Sequence, residues 1–402
     1  MSSVSRIQLT KCIWVLDRAS QKHRHCAGYA RALAALGVRT EQYEHARDAE
    51  SVARVSQVLR STDEHVVFFF VGPATFRAFY PVLKERRNYT VITDDWWNTP
   101  HWFVRNADYV LFRTFSFLAV RLGLGRFAPF GETPVLTMPQ PLTRFGLIMT
   151  AARLTSLALT PVLQMMKAWQ RTLETTPIER MIYFPYALRG EDVTFDANPT
   201  YRYDFSNVSN IYAPFISQDP FVPCWFTGAN FYADRNRLVK SMLAWEGQPF
   251  RLLNWQGRNR VGGSLYDELC DVVRSSRFTV ATGGIHQNPV SKFIENVCLG
   301  TPMIGRRLPY EHAWLDQCLF PIDTFTVNAG NIKPKLEEAL ALQPKMRESC
   351  LGLRDELLER YSFENVLRMA QDQIDGKPIP PGYLKVDFRS APAGSRVGLA
   401  GN

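Results

Sequence analysis

The feature that most constrains the fold is an uninterrupted apolar run at residues 65–71, HVVFFFV. A strand that is apolar on both faces is typical of a parallel sheet covered by helices on either side. Gly72-Pro73 ends the run, and a helical pattern follows. Further predicted strands cover residues 12–16, 89–93, 108–112 and 134–138. Strands that alternate with helices at this spacing predict an α/β fold built on a doubly wound parallel sheet.

A second series of strands and helices follows a long helical stretch of mixed apolar and basic character, residues 142–176. The predicted strands of this second series cover residues 223–227, 250–254, 277–281 and 302–305, and a last amphipathic helix covers 361–374. At 402 residues the chain is long enough for two domains. We expect an N-terminal domain at 1–176, a C-terminal domain at 177–360, a closing helix at 361–376 and a flexible tail at 377–402.

Positive charge is concentrated in the N-terminal half. The chain has 47 Lys and Arg against 38 Asp and Glu, a net charge of +9. Residues 1–200 hold 24 basic and 17 acidic side chains, and residues 109–173 hold seven basic side chains against Glu132 alone. Long apolar side chains lie between these basic ones, which favours an anionic membrane surface over duplex DNA as the partner.

The cysteine pattern and the apolar segments indicate the compartment. Seven cysteines lie at least 14 residues apart, which excludes a CxxC zinc site and a dense disulfide framework and favours a reducing cytosol. No apolar segment with a cleavage site follows the N-terminus, and the longest apolar stretch, residues 147–166, contains Arg153 and Pro161. We expect a cytoplasmic protein that can attach peripherally to the inner face of a membrane.

The most informative window is 276–305, SRFTVATGGIHQNPVSKFIENVCLGTPMIG. It predicts a strand, a glycine loop at Gly283-Gly284, a helix opened by Asn288-Pro289, a turn and a strand. The helix N-terminus then faces the glycine loop and forms an anion site from backbone N–H groups. Lys292 and Glu295 are three residues apart and share a helix face. A cation near phosphates and a carboxylate one turn away suit a nucleoside diphosphate and its ribose.

The segment KFIENVCLGTPMI, residues 292–304, resembles the K/R-x-x-E-x-x-x-x-G-x-P-v-i element of GT-B-fold glycosyltransferases. The resemblance extends to FTG at 226–228 followed by Arg235, to NADYVL at 106–111 and to YSFEN at 361–365. The resemblance spans residues 12–376. Within this range the chain is similar to family 1/4-like glycosyltransferases of bacterial polysaccharide assembly and spore maturation. This similarity implies two Rossmann-like doubly wound domains that face each other across a cleft, with the closing helix crossing back to the N-terminal domain.

The resemblance implies a nucleotide-sugar donor, with a UDP-sugar as the default, bound by the C-terminal domain. The donor residues it implies are Gly228, Arg235, Gly283, Gly284, His286, Ser291, Lys292 and Glu295. No D-x-D sequence occurs in the chain, so we expect no metal or other cofactor. The helix dipole, with Lys292, Arg235 or Arg237, would stabilise the leaving diphosphate. Gln287 stands where many retaining members carry the first of two glutamates, which favours an inverting transfer.

An inverting transfer needs a base beside the acceptor hydroxyl. Some inverting relatives place an aspartate after the strand that residues 89–93 resemble, which implies Asp95 as the base with Asp94 beside it. Like charge and desolvation by the neighbouring tryptophans would raise the pKa of one of the two carboxyls. Asp17 and the pair His23/His25 are the other candidates for the base. The side chains expected on the acceptor side are Asp17, His23, Trp96 and Trp97.

Each motif also has a purely structural interpretation. Lys292 and Glu295 can form a surface ion pair, the Asp94-Asp95 pair can cap a helix, and Trp96-Trp97 can fill a core. For the whole chain, three alternatives to a transferase with a membrane-associated glycan acceptor remain. They are a transferase that glycosylates DNA bases, a nucleotide-sugar epimerase of the same fold, and a non-enzymatic protein that binds nucleic acid.

Overall fold

The computed structural model describes residues 7–18, 24–70, 73–93, 106–112, 180–209, 233–245, 249–254, 263–281, 291–306, 313–324 and 326–383. It divides into two compact units. The first comprises Met1–Pro129, Val162–Arg189 and Arg360–Asn402, and the second comprises Phe130–Pro161 and Gly190–Glu359. The chain therefore crosses between the units and returns to the first at Arg360.

The first unit is built on a six-stranded sheet in which each neighbouring pair is parallel. Its strands are β1 (Ile13–Asp17), β2 (Thr40–Tyr43), β3 (Val66–Phe70), β4 (Tyr89–Thr93), β5 (Tyr109–Phe112) and β6 (Met181–Tyr183). Their spatial order is β2-β1-β3-β4-β5-β6. Among the described residues, its helices before β6 are α1 (Arg24–Ala35), α2 (Ala49–Arg60) and α3 (Pro73–Leu83).

The apolar run that opened the sequence analysis forms β3, which is buried on both faces. Val67 and Phe69 face a core that includes Tyr29 and Leu33 of α1. Phe68 points the other way and lies 5.7 Å, centroid to centroid, from the Phe79 ring of α3. The sheet is thus covered on both faces, as the absence of alternation predicted.

After the second unit, the chain adds helix α9 (Phe363–Ile374) to the first. Phe363 lies edge-on to Tyr29 at 4.6 Å between centroids. The approach is so close that a Cβ on Gly28 of α1 would fall 1.8 Å from the Phe363 ring. Gln373 binds both the N–H and the carbonyl of Tyr183, at 3.0 and 2.8 Å, and so covers the edge of strand β6.

The second unit contains a five-stranded parallel sheet. Its strands are β7 (Tyr203–Ser209), β8 (Phe250–Asn254), β9 (Ser276–Val280), β10 (Met303–Gly305) and β11 (Leu319–Pro321), in the order β11-β10-β9-β7-β8. The helices described in this unit are α4 (Ala233–Leu243), α5 (Gly263–Arg274), α6 (Ser291–Cys298), α7 (Ala313–Cys318) and α8 (Ile332–Arg360). Residues of α4 and α8 pack with Phe205, Phe278 and Ile304 in one core, while α5 contacts β7 and β9.

Two Rossmann-like α/β units with parallel sheets confirm the predicted fold class. The structure moves the expected crossover at 176/177 to Arg189–Gly190, because β6 pairs with β5 in the first sheet. The second sheet begins at β7, a strand that the sequence analysis missed, and α8 was missed as well. The predicted strands at 134–138 and 223–227 and the helical stretch at 142–176 lie outside the described residues. In the described ranges, no helix combines the length and the apolar character that a membrane span requires.

Candidate functional site

Both sheets share one topological feature that places a binding site. In each, the first strand lies between the second and the third: β1 between β2 and β3, and β7 between β8 and β9. The connection that leaves the first strand therefore runs to one side, and the connection that leaves the third strand runs to the other. In open parallel sheets a crevice forms at this switch point, outside the carboxyl ends of the strands, and ligands bind there.

Lys292 reaches the switch point of the second sheet. Its Nζ donates a hydrogen bond to the carbonyl oxygen of Val208, near the carboxyl end of β7. The pairing of β7 with β9 runs only to Ser206 opposite Thr279, so the last residues of β7 border the crevice. Lys292 lies in the first turn of α6 and is half-buried. The structure therefore brings the sequence-predicted cation to the ligand edge of the sheet.

Glu295 lies one helical turn after Lys292 and is buried, with 3% of its surface exposed. Four of the five other residues from Phe293 to Cys298 are apolar or thiol side chains that are buried as well. A surface ion pair is therefore not the role of this carboxylate, because such a pair stands in water. Ser291, also expected at the donor site, is the first residue of α6 and is half-buried.

The carboxyl end of α6 is fixed by two arginines from α8. Arg354 Nε donates to the Cys298 carbonyl at 3.1 Å, and Arg347 Nη1 donates to the Gly300 carbonyl at 2.6 Å. Gly300 has φ +72°, the left-handed conformation that commonly ends a helix and that favours glycine. Cations at a helix C-terminus complement its partial negative charge. These contacts hold the helix that carries Lys292 and Glu295.

Two buried polar residues at the same edge of the sheet were missed by the sequence analysis. Arg306 directly follows β10 and is 6% exposed, and Thr324 follows β11 and is fully buried. Ile322 N–H donates to the Gly305 carbonyl at 2.7 Å and so ties the segment after β11 to the end of β10. The sequence signal for Arg306 was its position immediately after a predicted strand, where parallel sheets present ligand-binding side chains.

In the first unit, Asp17 occupies the corresponding position. It is the last residue of β1, lies opposite Tyr43 of β2 in register and is buried. Tyr43 is buried as well, and its hydroxyl lies 3.1 Å from that of Thr75 in α3. The only sequence-predicted acceptor-side residue among the described ones therefore lies at the switch point of its own sheet.

Several predicted residues cannot be placed at either edge. Arg235 lies in α4, and its side chain is outside the described part of the structure. Gly228, Gly283, Gly284, His286, His23, Asp94, Asp95, Trp96 and Trp97 also lie outside the described residues, as do Gln287 and Asn288. Their roles stay predictions. In the described ranges, no group of three or more His, Cys, Asp or Glu side chains is arranged to hold a metal ion.

A histidine, a threonine and an aspartate lie close together at the opposite, amino-terminal edge of the first sheet. His65 precedes β3, its Nε2 lies 2.9 Å from the Thr90 hydroxyl, and its Nδ1 lies 3.7 Å from Asp108. Burial, with the charge of Arg86 as a second and smaller cause, lowers the pKa of His65 to about 4. Thr90 is fully buried, so this Thr–His–Asp arrangement offers no nucleophile to a substrate. Its role is structural.

No family model matches the chain, and no curated protein matches it either. Solved structures give weak matches. A glycosyltransferase from Rickettsia africae ESF-5 is 9% identical, with 90% of this chain and 98% of that chain covered at a TM-score of 0.47. The sucrose-phosphate synthase of Thermosynechococcus elongatus is 9% identical, with coverages of 89% and 96% and a TM-score of 0.49.

A third match is HepE of Anabaena, in complex with UDP and glucose. It is 8% identical, with coverages of 91% and 99% and a TM-score of 0.45. Because each of these TM-scores is below 0.5, we argue the function from the residues and the sheet topology of this chain.

Proposed function

We propose that the protein is a GT-B-type glycosyltransferase that uses a nucleotide-diphosphate sugar, with a UDP-sugar as the default donor. The observation that carries the proposal is the position of Lys292, whose Nζ bonds Val208 at the switch point of the second sheet. The same helix carries Glu295 within the K-x-x-E-x-x-x-x-G-x-P element. A helix N-terminus, a cation and a carboxylate at a ligand crevice are the groups that a nucleoside diphosphate requires.

The chemistry assigned to this site is stabilisation of the leaving group. The acceptor oxygen attacks the anomeric carbon, the bond from that carbon to the diphosphate oxygen breaks, and the diphosphate leaves with its added negative charge. Lys292 and the N-terminus of α6 are charges already in place for that product, and removal of a single preorganised donor of this kind from an enzyme's oxyanion site costs about 3–4 kcal/mol. Glu295 would accept hydrogen bonds from the ribose hydroxyls.

The acceptor proton needs a base, and we assign it to Asp95, with Asp94 as its neighbour. The transfer is then inverting, because a single displacement at the anomeric carbon reverses its configuration. Asp17 is the described carboxylate at the switch point of the first sheet, so it is the alternative base, with His23 close to it in sequence. Trp96 and Trp97 are proposed to contact the acceptor glycan, and no metal or other cofactor is assigned a step.

The acceptor is proposed to be a membrane-associated glycan in the cytoplasm. The support is the basic, apolar-rich stretch at 109–173. Flotation with vesicles that contain anionic lipid, set against a salt-dependent gel shift with duplex DNA, tests this part separately. Retention of the protein on DNA but not on vesicles would replace the membrane acceptor with the DNA-base acceptor.

Titration calorimetry with UDP tests the donor site directly. We expect Lys292→Met to weaken UDP binding about tenfold to a hundredfold, because a charge-assisted hydrogen bond contributes about 1.5–3 kcal/mol. Glu295→Gln should weaken UDP and uridine alike, since its proposed partner is the ribose. Lys240→Met is the matched control: Lys240 is exposed on α4 of the same unit and should leave binding unchanged.

The proposal is refuted if the wild-type protein binds neither UDP nor GDP when the nucleotide is present at millimolar concentration. If UDP binds, incubation with UDP-sugars distinguishes the reaction. Slow release of free sugar is expected of a transferase without its acceptor, whereas a changed sugar that remains attached to the nucleotide would identify an epimerase.

A further inference from the structure

The carboxyl edge of the second sheet carries a buried guanidinium beyond the groups used above. Arg306 is the residue directly after β10, and only 6% of its surface is exposed. A guanidinium keeps its charge at all physiological pH values, so this is a fixed positive charge inside the unit. Lysine and arginine are rarely buried to this extent in proteins.

The backbone fixes where this side chain starts. Ala281 N–H donates to the Ile304 carbonyl at 3.0 Å, which pairs the ends of β9 and β10. A Cβ on Gly305 would lie 2.0 Å from the Ala281 carbonyl oxygen, so no side chain fits at that position. Arg306 is therefore the first side chain past the point where the two strand ends touch. The backbone of Arg306 thus lies close to Ala281, the residue that follows β9. The predicted glycine loop comes after Ala281 in the sequence.

Two further observations place this charge next to the proposed donor site. Adjacent strands lie about 4.8 Å apart, so the ends of β7 and β10 are two spacings, about 10 Å, from each other. Lys292 marks the first of these ends, and Arg306 marks the second. Past the end of the neighbouring strand β11, Thr324 is fully buried, and its Oγ1 makes no hydrogen bond to any described residue. A fixed cation and a hydroxyl thus lie just past the carboxyl ends of β10 and β11, on the side of β9 away from β7.

We infer that Arg306 binds an oxyanion of the donor, and this inference rests on the proposed function. The planar fork of a guanidinium matches an oxyanion with two parallel hydrogen bonds, for which a lysine is not an equivalent. Two groups of a nucleotide sugar offer that chemistry: the diphosphate and the carboxylate of an acidic sugar. Lys292 then binds one end of the anionic part of the donor, and Arg306 binds the other end.

The test compares Arg306→Met, which removes the charge at similar length, with Arg277→Met. Arg277 lies at the amino-terminal end of β9, where it pairs with Asp204 at 3.0 Å, and serves as the control. Calorimetry is run with uridine, UDP, UDP-glucose and UDP-glucuronate. If the anion is the diphosphate, Arg306→Met weakens UDP about tenfold or more and leaves uridine unchanged. If it is the sugar carboxylate, UDP is unchanged and a wild-type preference for UDP-glucuronate over UDP-glucose is lost.

Either of these two results supports the inference. Two other results overturn it, and a third refutes the proposed function on which it rests. Equal affinities of Arg306→Met and wild type for all four ligands overturn it. Loss of uridine and UDP by the same factor assigns Arg306 a purely structural role and overturns it as well. Wild-type protein that binds neither UDP nor GDP refutes the proposed function instead. If circular dichroism shows that Arg306→Met does not fold, Arg306→Lys decides, with a smaller selective loss expected and unchanged affinities contradicting the inference.

Discussion

The half-buried histidine before strand β3, His65, predicts a defined loss of stability in acid. Burial lowers the pKa of His65 in the folded protein to about 4, against 6.5 for an exposed histidine. The nearby Asp108 would favour the protonated form, but it lies 3.7 Å away and is itself partly exposed, so desolvation dominates. The folded state thus holds His65 neutral, and the unfolded state binds the proton first as the pH falls.

The magnitude follows from the two pKa values. The stabilisation is complete above the unfolded pKa of 6.5 and is lost as the pH falls from 6.5 towards 4. Integration of the proton-binding difference gives a loss of about 2 kcal/mol in the free energy of unfolding between pH 8 and pH 5. This is a substantial share of the 5–15 kcal/mol typical of a folded protein.

The assay is urea unfolding, followed by circular dichroism at pH 8 and at pH 5, of wild type and His65→Gln. Glutamine has no titration in this range and can still reach the Thr90 hydroxyl, so the difference in unfolding free energy between wild type and variant should shift by about 2 kcal/mol. A His65 ring that titrates near 6.5 by NMR would refute the reasoning.

Two further predictions concern the docking of α9 and the arginine that bonds the end of α6. Gly28→Ala should destabilise the docking of α9 by about 1–3 kcal/mol, because a methyl group there overlaps the Phe363 ring; thermal unfolding measures it, and Gly352→Ala in α8, with open space at its Cβ, should be neutral or stabilising. Arg354→Met should lower stability by about 1.5–3 kcal/mol and weaken UDP binding, because it removes a charged donor at the end of α6. Lys345→Met, exposed on the same helix, is its control, and equal melting temperatures for the two variants would contradict the capping role.

Elements with a strong local pattern were predictable from the sequence. The predicted strands at 65–71, 89–93 and 250–254 correspond to β3, β4 and β8, because short runs rich in β-branched, aromatic and other apolar residues, bounded by turn residues, identify strands. Strand β7 was missed because its residues, YDFSNVS, combine apolar positions with buried Ser206 and Asn207. Helix α8 was missed because it is 29 residues long, contains Pro344 and buries only part of its length.

The candidate site was predictable to a similar degree. Lys292 and Glu295 share a helix face because their spacing fixes it, and the structure retains that relation. Burial of Glu295 was not predictable, since it depends on the elements that cover α6. Arg306 was missed because no local motif marks it. The two arginines that bond the end of α6 were missed because the carbonyl groups they bind are remote in sequence.

The sequence by itself therefore determined the type and order of those strands and helices that have a strong local pattern, the division into two α/β series and the pairing of a cation with a carboxylate on one helix. These depend on spacings of two to four residues, within which periodicity and capping operate. Only the tertiary structure decided the strand orders β2-β1-β3 and β8-β7-β9, and hence where the crevices lie. It alone brought Lys292 to Val208 and Arg306 past the end of β9, because such pairs form through packing between segments far apart in the chain.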